Sequence, residues 1–466
     1  MSAFDHIRTS VAQHRYRQSL PNPYQDELGE LLWPRMIRAP SGREILFDLE
    51  ILAAVRDLAD CLRRDQHDLD RSISNDEWLD LVTTSVAYAL DTSDPDADLD
   101  VTAGHVLNDV KSSLAQSKAG LSHFEFAFGC TLFEGVVPRP FCIGPVRFET
   151  RQDWLERKFV EGAISGSMLR RVLSAWEGQT PRKRIRSVDS EQEETILSLS
   201  HGVSFICSVR TNGMACEFGR RRARTTARLA LAAIALLWQK TSQALDKMNL
   251  VEDRVVRILH ELTFREGQLA SWGSRKSHMP GGQRLNADDW DKLRNDFADH
   301  FIVVGDLLKS IVDITGPPMR PKTTHALIHA LLWFHQGCRE DEQVIAVVNF
   351  AAALDCLASG DGQQGIRDLI KTQIGIDADK ALWVRGNQTA EKAVEEIYEH
   401  ARNATMHGRK DYKKGKPDSK PFHDWGPGRE RAEALARYCL LACIDWAAQH
   451  PDSDDPKSWS TLTDTA

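Results

Sequence analysis

The feature that most constrains the fold of this 466-residue chain is a group of three prolines in five residues, Pro317, Pro318 and Pro321. Each proline removes a backbone donor and fixes φ, so no regular helix can continue through this segment. The chain is also longer than one ordinary hydrophobic core accommodates. We therefore predict a domain boundary between residues 315 and 316.

Upstream of these prolines, the pattern changes from helical to mixed. Apolar residues in the first part recur at spacings of three and four, which predicts a helical region over residues 1–118, with helices over about 25–118. This series is Ile45, Leu49, Leu52, Val55, Leu58 and Leu62. Residues 119–315 are predicted to form an α+β section followed by helices, and we assign a sensor or regulatory role to them.

Within that section, alternating aromatic residues and turn residues predict strands over 123–150. We expect a second strand pair through Val203–Val209 and Met214–Phe218. A long helix should then follow from Gly219 to about Leu250, and another from Val251 to Leu262. A Gly- and Ser-rich loop is predicted over 267–282.

Downstream of the prolines, helical patterns follow one another over residues 316–450. Such a series packs naturally as an up-down bundle. The predicted helices are 323–334, 342–357, 366–374, 389–407 and 429–448. We expect residues 451–466 to be a flexible tail. The fold class is thus mainly α, with a C-terminal up-down helical bundle behind a larger N-terminal helical region that contains a small α+β section.

A short motif, Arg402-Asn403-Ala404-Thr405-Met406-His407, ends the fourth of these helical segments. Asn403 and His407 are four residues apart and share a helix face, which the long side chain of Arg402 can reach. An imidazole can transfer a proton near neutral pH, and a guanidinium can hold two phosphate oxygens. The alternative is structural, because cations near a helix C-terminus also bind free carbonyls.

The loop after this motif is locally basic. From Arg402 to Arg431 there are nine Lys or Arg and four Asp or Glu, although the whole chain has a formal net charge of −8. Cations interleaved with aromatic rings are what single-stranded RNA recognition uses. The residues predicted to bind RNA are Arg409, Lys410, Tyr412, Lys413, Lys414, Lys416, Lys420 and Trp425. The alternative is a basic loop that is simply solvated.

The form Arg-Asn-x-x-x-His at this place resembles the HEPN superfamily, whose ribonucleases commonly carry it. The C-terminal placement is similar to the Apea-like HEPN group of bacterial anti-phage proteins, and the resemblance covers about residues 320–450. Ala353-Leu354-Asp355 resembles the Ala-Leu-Glu element of that group, with aspartate in place of glutamate. His407-Gly408-Arg409 departs from the His-x-Tyr form that a partner nucleotidyltransferase modifies, so no such partner is expected.

The resemblance implies a metal-independent endoribonuclease without cofactor, acting as a homodimer or higher homo-oligomer. His407 would be the general acid/base, Arg402 would bind the scissile phosphate, Asn403 would orient groups, and Asp355 would position or polarise one of them. It also implies an anti-phage, abortive-infection toxin that cuts cellular RNA, with tRNA as a candidate, in response to a phage-derived trigger. The alternative function is a non-catalytic HEPN module that dimerises and binds RNA or nucleotide.

Other functions find less support in the sequence. His325 and His329 are four apart, a spacing that zinc sites use, but no glutamate lies between them and no companion ligand is evident, so we predict no metal. Phosphate-binding glycine loops and nucleophile elbows are not found. The longest apolar run, Leu229–Trp238, is ten residues, too short for a bilayer. Without a signal-peptide pattern, the chain is expected to be cytoplasmic.

Overall fold

The computed structural model describes residues 1–20, 35–64, 71–119, 121, 123–135, 138–179, 185–253, 258–276, 282–317, 319–382, 388–407 and 425–459. The fold is mainly α, as predicted. The chain forms two compact units. The first unit is Met1–Phe124 with Thr211–Arg222 and Asp313–Thr315, and the second is Glu125–Arg210, Ala223–Val312 and Gly316–Ala466.

The first unit is built from helices and one short hairpin. Its elements from residue 1 to 119 are α1 (Ala3–Ser19), β1 (Arg35–Arg38), β2 (Glu44–Phe47), α2 (Leu49–Arg64), α3 (Asn75–Thr92) and α4 (Leu99–Ala119). Ile51, Val55 and Leu58 of α2 are fully buried in its core. The prediction of continuous helix is wrong at Ile45, which lies in β2 and pairs with Ile37 of β1.

The second unit contains a sheet and the remaining helices. Before the prolines its elements are, in chain order, β3 (Phe124–Thr131), β4 (Phe133–Glu134), β5 (Phe141–Ile143), β6 (Val146–Thr150), α5 (Arg151–Val160), α6 (Gly166–Trp176), α7 (Val188–Leu199), β7 (Phe205–Thr211), α8 (Cys216–Ala235), α9 (Thr241–Lys247), β8 (Asn249–Leu250), β9 (Ile258–Arg265), β10 (Gln268–Lys276), β11 (Gln283–Arg284), α10 (Ala287–Asp296) and α11 (Ala298–Val312). Among the described residues, five of these strands form one sheet in the order β5-β6-β7-β3-β8. The pairs β5–β6, β6–β7 and β3–β8 are antiparallel.

Four local predictions in this section are wrong. The helix predicted from Gly219 to about Leu250 ends at Ala235, and Leu250 lies in β8. Met214–Phe218 is not a strand, because α8 already begins at Cys216. The helix predicted over Val251–Leu262 is a 3₁₀ turn at Val251–Asp253 followed by β9. β9 pairs with β10, which occupies most of the segment predicted as a Gly- and Ser-rich loop. Glu266 and Gly267 both have positive φ, 52° and 81°. Two such residues form the tight turn that brings antiparallel strands together, and this overrides the helical spacing.

After the prolines, the predicted helices are present. They are α12 (Pro321–Arg339), α13 (Gln343–Leu357), α14 (Gly362–Ile374), α15 (Ala390–Glu395), a π-helical segment (Glu396–Asn403), α16 (Ala404–His407) and α17 (Gly426–Gln449). Pro321 occupies the first turn of α12, where its missing N–H has no cost. The prolines thus separate two helices, α11 and α12.

The predicted boundary at 315/316 does not separate two cores. One hydrophobic cluster extends from the sheet through α8 and α11 into the bundle. The Glu433 carboxylate of α17 accepts hydrogen bonds from the backbone N and the hydroxyl of Ser242, both at 2.8 Å. Arg437 Nε donates to the Leu236 carbonyl at 2.7 Å. Because α17 supplies apolar and polar contacts to both parts, Ala223–Val312 and the bundle after the prolines belong to one compact unit.

The prediction of a flexible tail over 451–466 is wrong for residues 451–459. Trp459 is fully buried and its Nε1 donates to the Leu357 carbonyl at 2.6 Å. The Asp454 carboxylate accepts from the backbone N of Lys322 at 2.8 Å and of Thr323 at 2.9 Å. It therefore caps α12, whose own N-cap residue, Arg320, makes no side-chain capping bond. Residues 460–466 lie outside the described part.

Candidate functional site

The motif lies on an interrupted helix. Thr389 is the N-cap of α15, and its hydroxyl accepts from the backbone N of Lys392 at 3.3 Å. The π-helical segment Glu396–Asn403 then replaces the regular helix that the sequence predicted. Its i→i+5 bonds widen the turn, a rare geometry that occurs frequently at functional sites. Arg402 and Asn403 are the last two residues of this widened segment.

Arg402 is the centre of a connected polar cluster. Its Nη1 donates to the hydroxyl oxygen of Tyr398 at 3.0 Å and to Asn403 Oδ1 at 3.1 Å. Its Nη2 forms an ion pair with Asp355 Oδ2 at 3.4 Å. The guanidinium carbon also lies 4.7 Å from the centroid of the Tyr398 ring, a cation–π distance. Four groups from two elements therefore define the position of one guanidinium.

Asp355 joins this cluster from α13. Its side chain is 18% exposed, against 28% for that of Arg402. Asp355 Oδ1 is buried and has no hydrogen-bond partner among the described residues. Burial raises the pKa of Tyr398, and the nearby carboxylate of Asp355 adds to this effect. Tyr398 therefore keeps its proton at neutral pH and presents a neutral hydroxyl to Arg402.

Tyr398 is the member of the cluster that our functional prediction missed. The sequence does contain a signal, because Tyr398 lies four residues before Arg402 on the same helical segment. The same spacing is equally typical of a residue that only packs against its helix neighbours. The ring is half-buried, and its hydroxyl lies beside Gly362, where an added Cβ would be 3.4 Å from the hydroxyl oxygen.

The structure brings together three of the predicted catalytic residues, Arg402, Asn403 and Asp355. His407 is the last residue of α16, and its side chain lies outside the described part of the structure. Seven predicted RNA contacts also lie outside the described residues: Arg409, Lys410, Tyr412, Lys413, Lys414, Lys416 and Lys420.

The remaining predicted RNA contact, Trp425, needs correction. Its side chain is 7% exposed and belongs to the hydrophobic core of the bundle. A ring in that position cannot stack on a base, so Trp425 is not part of the predicted RNA-binding surface. The apolar environment at the start of α17 outweighs the basic sequence around it.

One ion pair and two hydrogen bonds hold the π-helical segment in place. Glu396 accepts from Arg431 Nη2 at 2.7 Å and from Gln388 Nε2 at 2.6 Å. Gln363 Nε2 donates to Glu399 at 2.7 Å. Arg431 is one of the cations counted in the basic stretch, and its charge is paired with that of Glu396. The π-helical segment is therefore bonded to α14 through Gln363 and to α17 through Arg431.

A cleft of about 620 Å³ is lined in part by Asp355. Its lining includes His325, Ala326, His329, Asp355, Cys356 and Ser359. Ser359 has φ of +55°, unusual for a residue with a side chain. Burial raises the pKa of the Cys356 thiol to about 11, with the charge of Asp355 adding to it. This thiol is therefore not a nucleophile at neutral pH.

The histidines in this cleft do not form a metal site with their described neighbours. The rings of His325 and His329 have centroids 4.2 Å apart. Within the described residues, no group of three or more His, Cys, Asp or Glu side chains is arranged to hold a metal ion. His335, further along α12, is buried and only 7% exposed.

No protein-family model, curated protein or solved structure matches this chain. Among the described residues, no single helix has both the length and the hydropathy of a membrane span, and α13 and α14 reach them only as a pair that meets at a 72° bend. The functional assignment depends on the motif, its resemblance and the local geometry.

Proposed function

We propose that this chain is a metal-independent endoribonuclease of the HEPN type. The observation that carries the proposal is the environment of Arg402, which Asp355, Tyr398 and Asn403 hold in one place. A guanidinium has five N–H groups, and these contacts use three of them. The Nε–H and one Nη2–H have no partner among the described residues and would face the phosphate.

A fixed cation of this kind suits phosphoryl chemistry. In RNA cleavage the negative charge on the phosphorus oxygens increases in the transition state, and a donor that is already oriented stabilises it without reorganisation. Asp355 and Tyr398 would be positioning residues, because they act through Arg402. Asn403 would help to fix the same guanidinium from within the motif.

The reaction needs two proton transfers. A base takes the proton of the ribose 2′-OH, the 2′-oxygen attacks phosphorus, and the bond to the 5′-oxygen breaks while an acid protonates that oxygen. The products are a 2′,3′-cyclic phosphate and a 5′-hydroxyl. His407 would fill one role in each chain. A homodimer with an isologous contact would bring a second His407 for the other role.

The biological setting is proposed from the resemblance. The chain would act in the cytoplasm as an abortive-infection toxin, with residues 1–315 sensing a phage-derived trigger. The RNA would be cellular, with tRNA as a candidate substrate. The basic stretch after His407 would attract the strand, and the overall charge of −8 would limit unspecific binding to nucleic acid.

The direct test is to incubate the purified protein with total RNA, with and without EDTA, and to sequence the fragment ends. We expect 2′,3′-cyclic phosphate and 5′-hydroxyl ends in both conditions. His407→Ala should abolish cleavage, because the motif contains one imidazole. Toxicity on expression should disappear in the same variant.

The matched control is His400→Ala. His400 lies on the same helical segment, with a side chain that is 45% exposed, and we assign it no role in the reaction. Its replacement should leave cleavage unchanged. Full cleavage by His407→Ala, or complete loss of cleavage in EDTA, would contradict the proposal.

The rival function is a module that dimerises and binds RNA or nucleotide without cutting it. The observation in its favour is that three N–H groups of Arg402 already have partners within the protein, as expected of a structural clamp between α13 and the motif. RNA binding without cleavage, with every trigger tested, would support this function.

A further inference from the structure

The cleft beside Asp355 has the dimensions and chemistry of a ligand site. Its volume of about 620 Å³ falls within the roughly 300 to 1,000 Å³ that small-molecule sites occupy. Its lining includes Asp355, which also contacts Arg402 at 3.4 Å. The cleft and the proposed catalytic cluster are therefore adjacent and share one side chain.

The aromatic part of the cleft consists of two solvent-exposed imidazoles. His325 and His329 lie one turn apart on α12, with ring centroids 4.2 Å apart and ring planes at 38°. Burial lowers the pKa of His329, and the neighbouring His325 adds to the effect. A neutral ring exposed on one face is a stacking surface for a nucleobase.

The remaining lining fits a nucleoside and its phosphate. Pro321, Ala326 and Pro456 provide apolar walls. Lys322 lines the cleft and is exposed, and its ammonium forms no ion pair with any described carboxylate. The charge of Asp355 is compensated by Arg402. The cleft therefore offers rings, apolar walls and one available cation.

We propose that this cleft is a nucleoside subsite, in which His325 and His329 stack on a base and Lys322 binds the phosphate of the nucleotide next to the cleaved bond. The inference rests on the proposed function, and it deepens that function by adding residues from α12 to the substrate contacts. The sequence motif contains none of these three residues.

Asp355 links the two proposed contacts, because it pairs with Arg402 and also lines the cleft. Stacking tolerates every base, so the subsite would add affinity and orientation with little sequence preference.

The test uses the full-length protein and an RNA oligonucleotide with 2′-O-methyl ribose throughout, which cannot undergo 2′-OH attack. We expect His325→Ala or His329→Ala to weaken binding on the order of tenfold. Lys322→Ala should weaken binding and reduce its dependence on salt. The His105→Ala variant, at an exposed position on α4, is the control and should bind as the wild type does.

A second readout separates a binding role from a structural one. With cleavable RNA, the subsite variants should raise KM while kcat changes little, and His325→Gln should fold normally if His325→Ala does not. If the wild type cleaves RNA and the variants show unchanged binding and KM, the subsite proposal is wrong and the ribonuclease proposal still holds. If these variants bind the 2′-O-methyl RNA more weakly and the wild type does not cleave RNA, the subsite proposal is supported and the ribonuclease proposal is contradicted.

Discussion

At the scale of single residues, the central observation is the way Arg402 is held. A long, flexible side chain loses conformational entropy when it is fixed, and here the ring of Tyr398, two hydrogen bonds and an ion pair offset that loss. Because Asp355 belongs to α13 and Tyr398 to the motif segment, the guanidinium depends on how these two elements pack.

Tyr398→Phe tests whether this fixed position matters. The substitution removes the hydroxyl that accepts from Arg402 Nη1 and keeps the ring beneath the guanidinium. One such hydrogen bond contributes about 1 kcal/mol, so kcat should fall roughly five- to tenfold. Single-turnover cleavage assays would measure this fall, and circular dichroism should show an unchanged fold.

Tyr438→Phe is the matched control, since Tyr438 also lies beside an arginine, with Arg437 at 5.3 Å from its ring centroid. Tyr438 is 47% exposed on α17 and belongs to neither proposed site. An equal fall in kcat for both variants would show that the hydroxyl of Tyr398 has no specific role.

At the scale of elements, the segment after α17 stabilises the helix that carries Asp355. The Trp459 indole donates to the carbonyl of Leu357 at the end of α13, and the Trp459 carbonyl accepts from Gln373 Nε2 of α14 at 2.6 Å. The ring also packs edge-on against Trp446 of α17, with centroids 5.9 Å apart. Trp459 therefore contacts three helices of the bundle, α13, α14 and α17.

Trp459→Ala should destabilise the second unit by about 3 to 5 kcal/mol, because it removes a fully buried ring and leaves a cavity. Urea unfolding followed by circular dichroism would measure the change in unfolding free energy. Trp333→Ala provides the comparison, since Trp333 of α12 is 42% exposed. Its loss should cost about 1 kcal/mol or less. Similar values for both variants would mean that the terminal segment does not anchor the bundle.

At the scale of the whole molecule, the second unit buries histidines that must remain neutral. Burial lowers the pKa of His300 to about 4 and that of His335 to about 3. In the unfolded chain both should titrate near pH 6.5. Between pH 6.5 and about 4, the unfolded state therefore binds protons that the folded state excludes.

The stability of this unit should consequently fall as the pH decreases below 6.5. The slope for each of these two histidines can reach about 1.4 kcal/mol per pH unit. His335→Gln should flatten the slope by about this amount, whatever its effect at pH 7.5. Urea unfolding at pH 7.5, 6.5, 5.5 and 4.5 measures it. Parallel slopes for the variant and the wild type would show that His335 is not buried as a neutral ring.

The sequence predicted a large part of the bundle and the residues of the candidate site. Apolar spacing located the helices after the prolines, since one face of each helix must be buried. The motif and the Ala353-Leu354-Asp355 element identified Arg402 and Asp355, which the structure places 3.4 Å apart. The β9–β10 hairpin was missed because its turn depends on a left-handed Glu266, a conformation that glutamate rarely adopts.

What the sequence alone determined is local: which segments form the helices of the bundle, where prolines end them, and which side chains carry the charge and hydrogen-bond donors of the candidate site. Those properties follow from spacing and from the chemistry of each residue. Only the tertiary structure decided that Tyr398 supports Arg402, that Trp425 and Trp459 are buried, and that residues on both sides of the prolines have one core. Each of these facts is a contact between elements, and its free energy depends on packing that no single segment encodes.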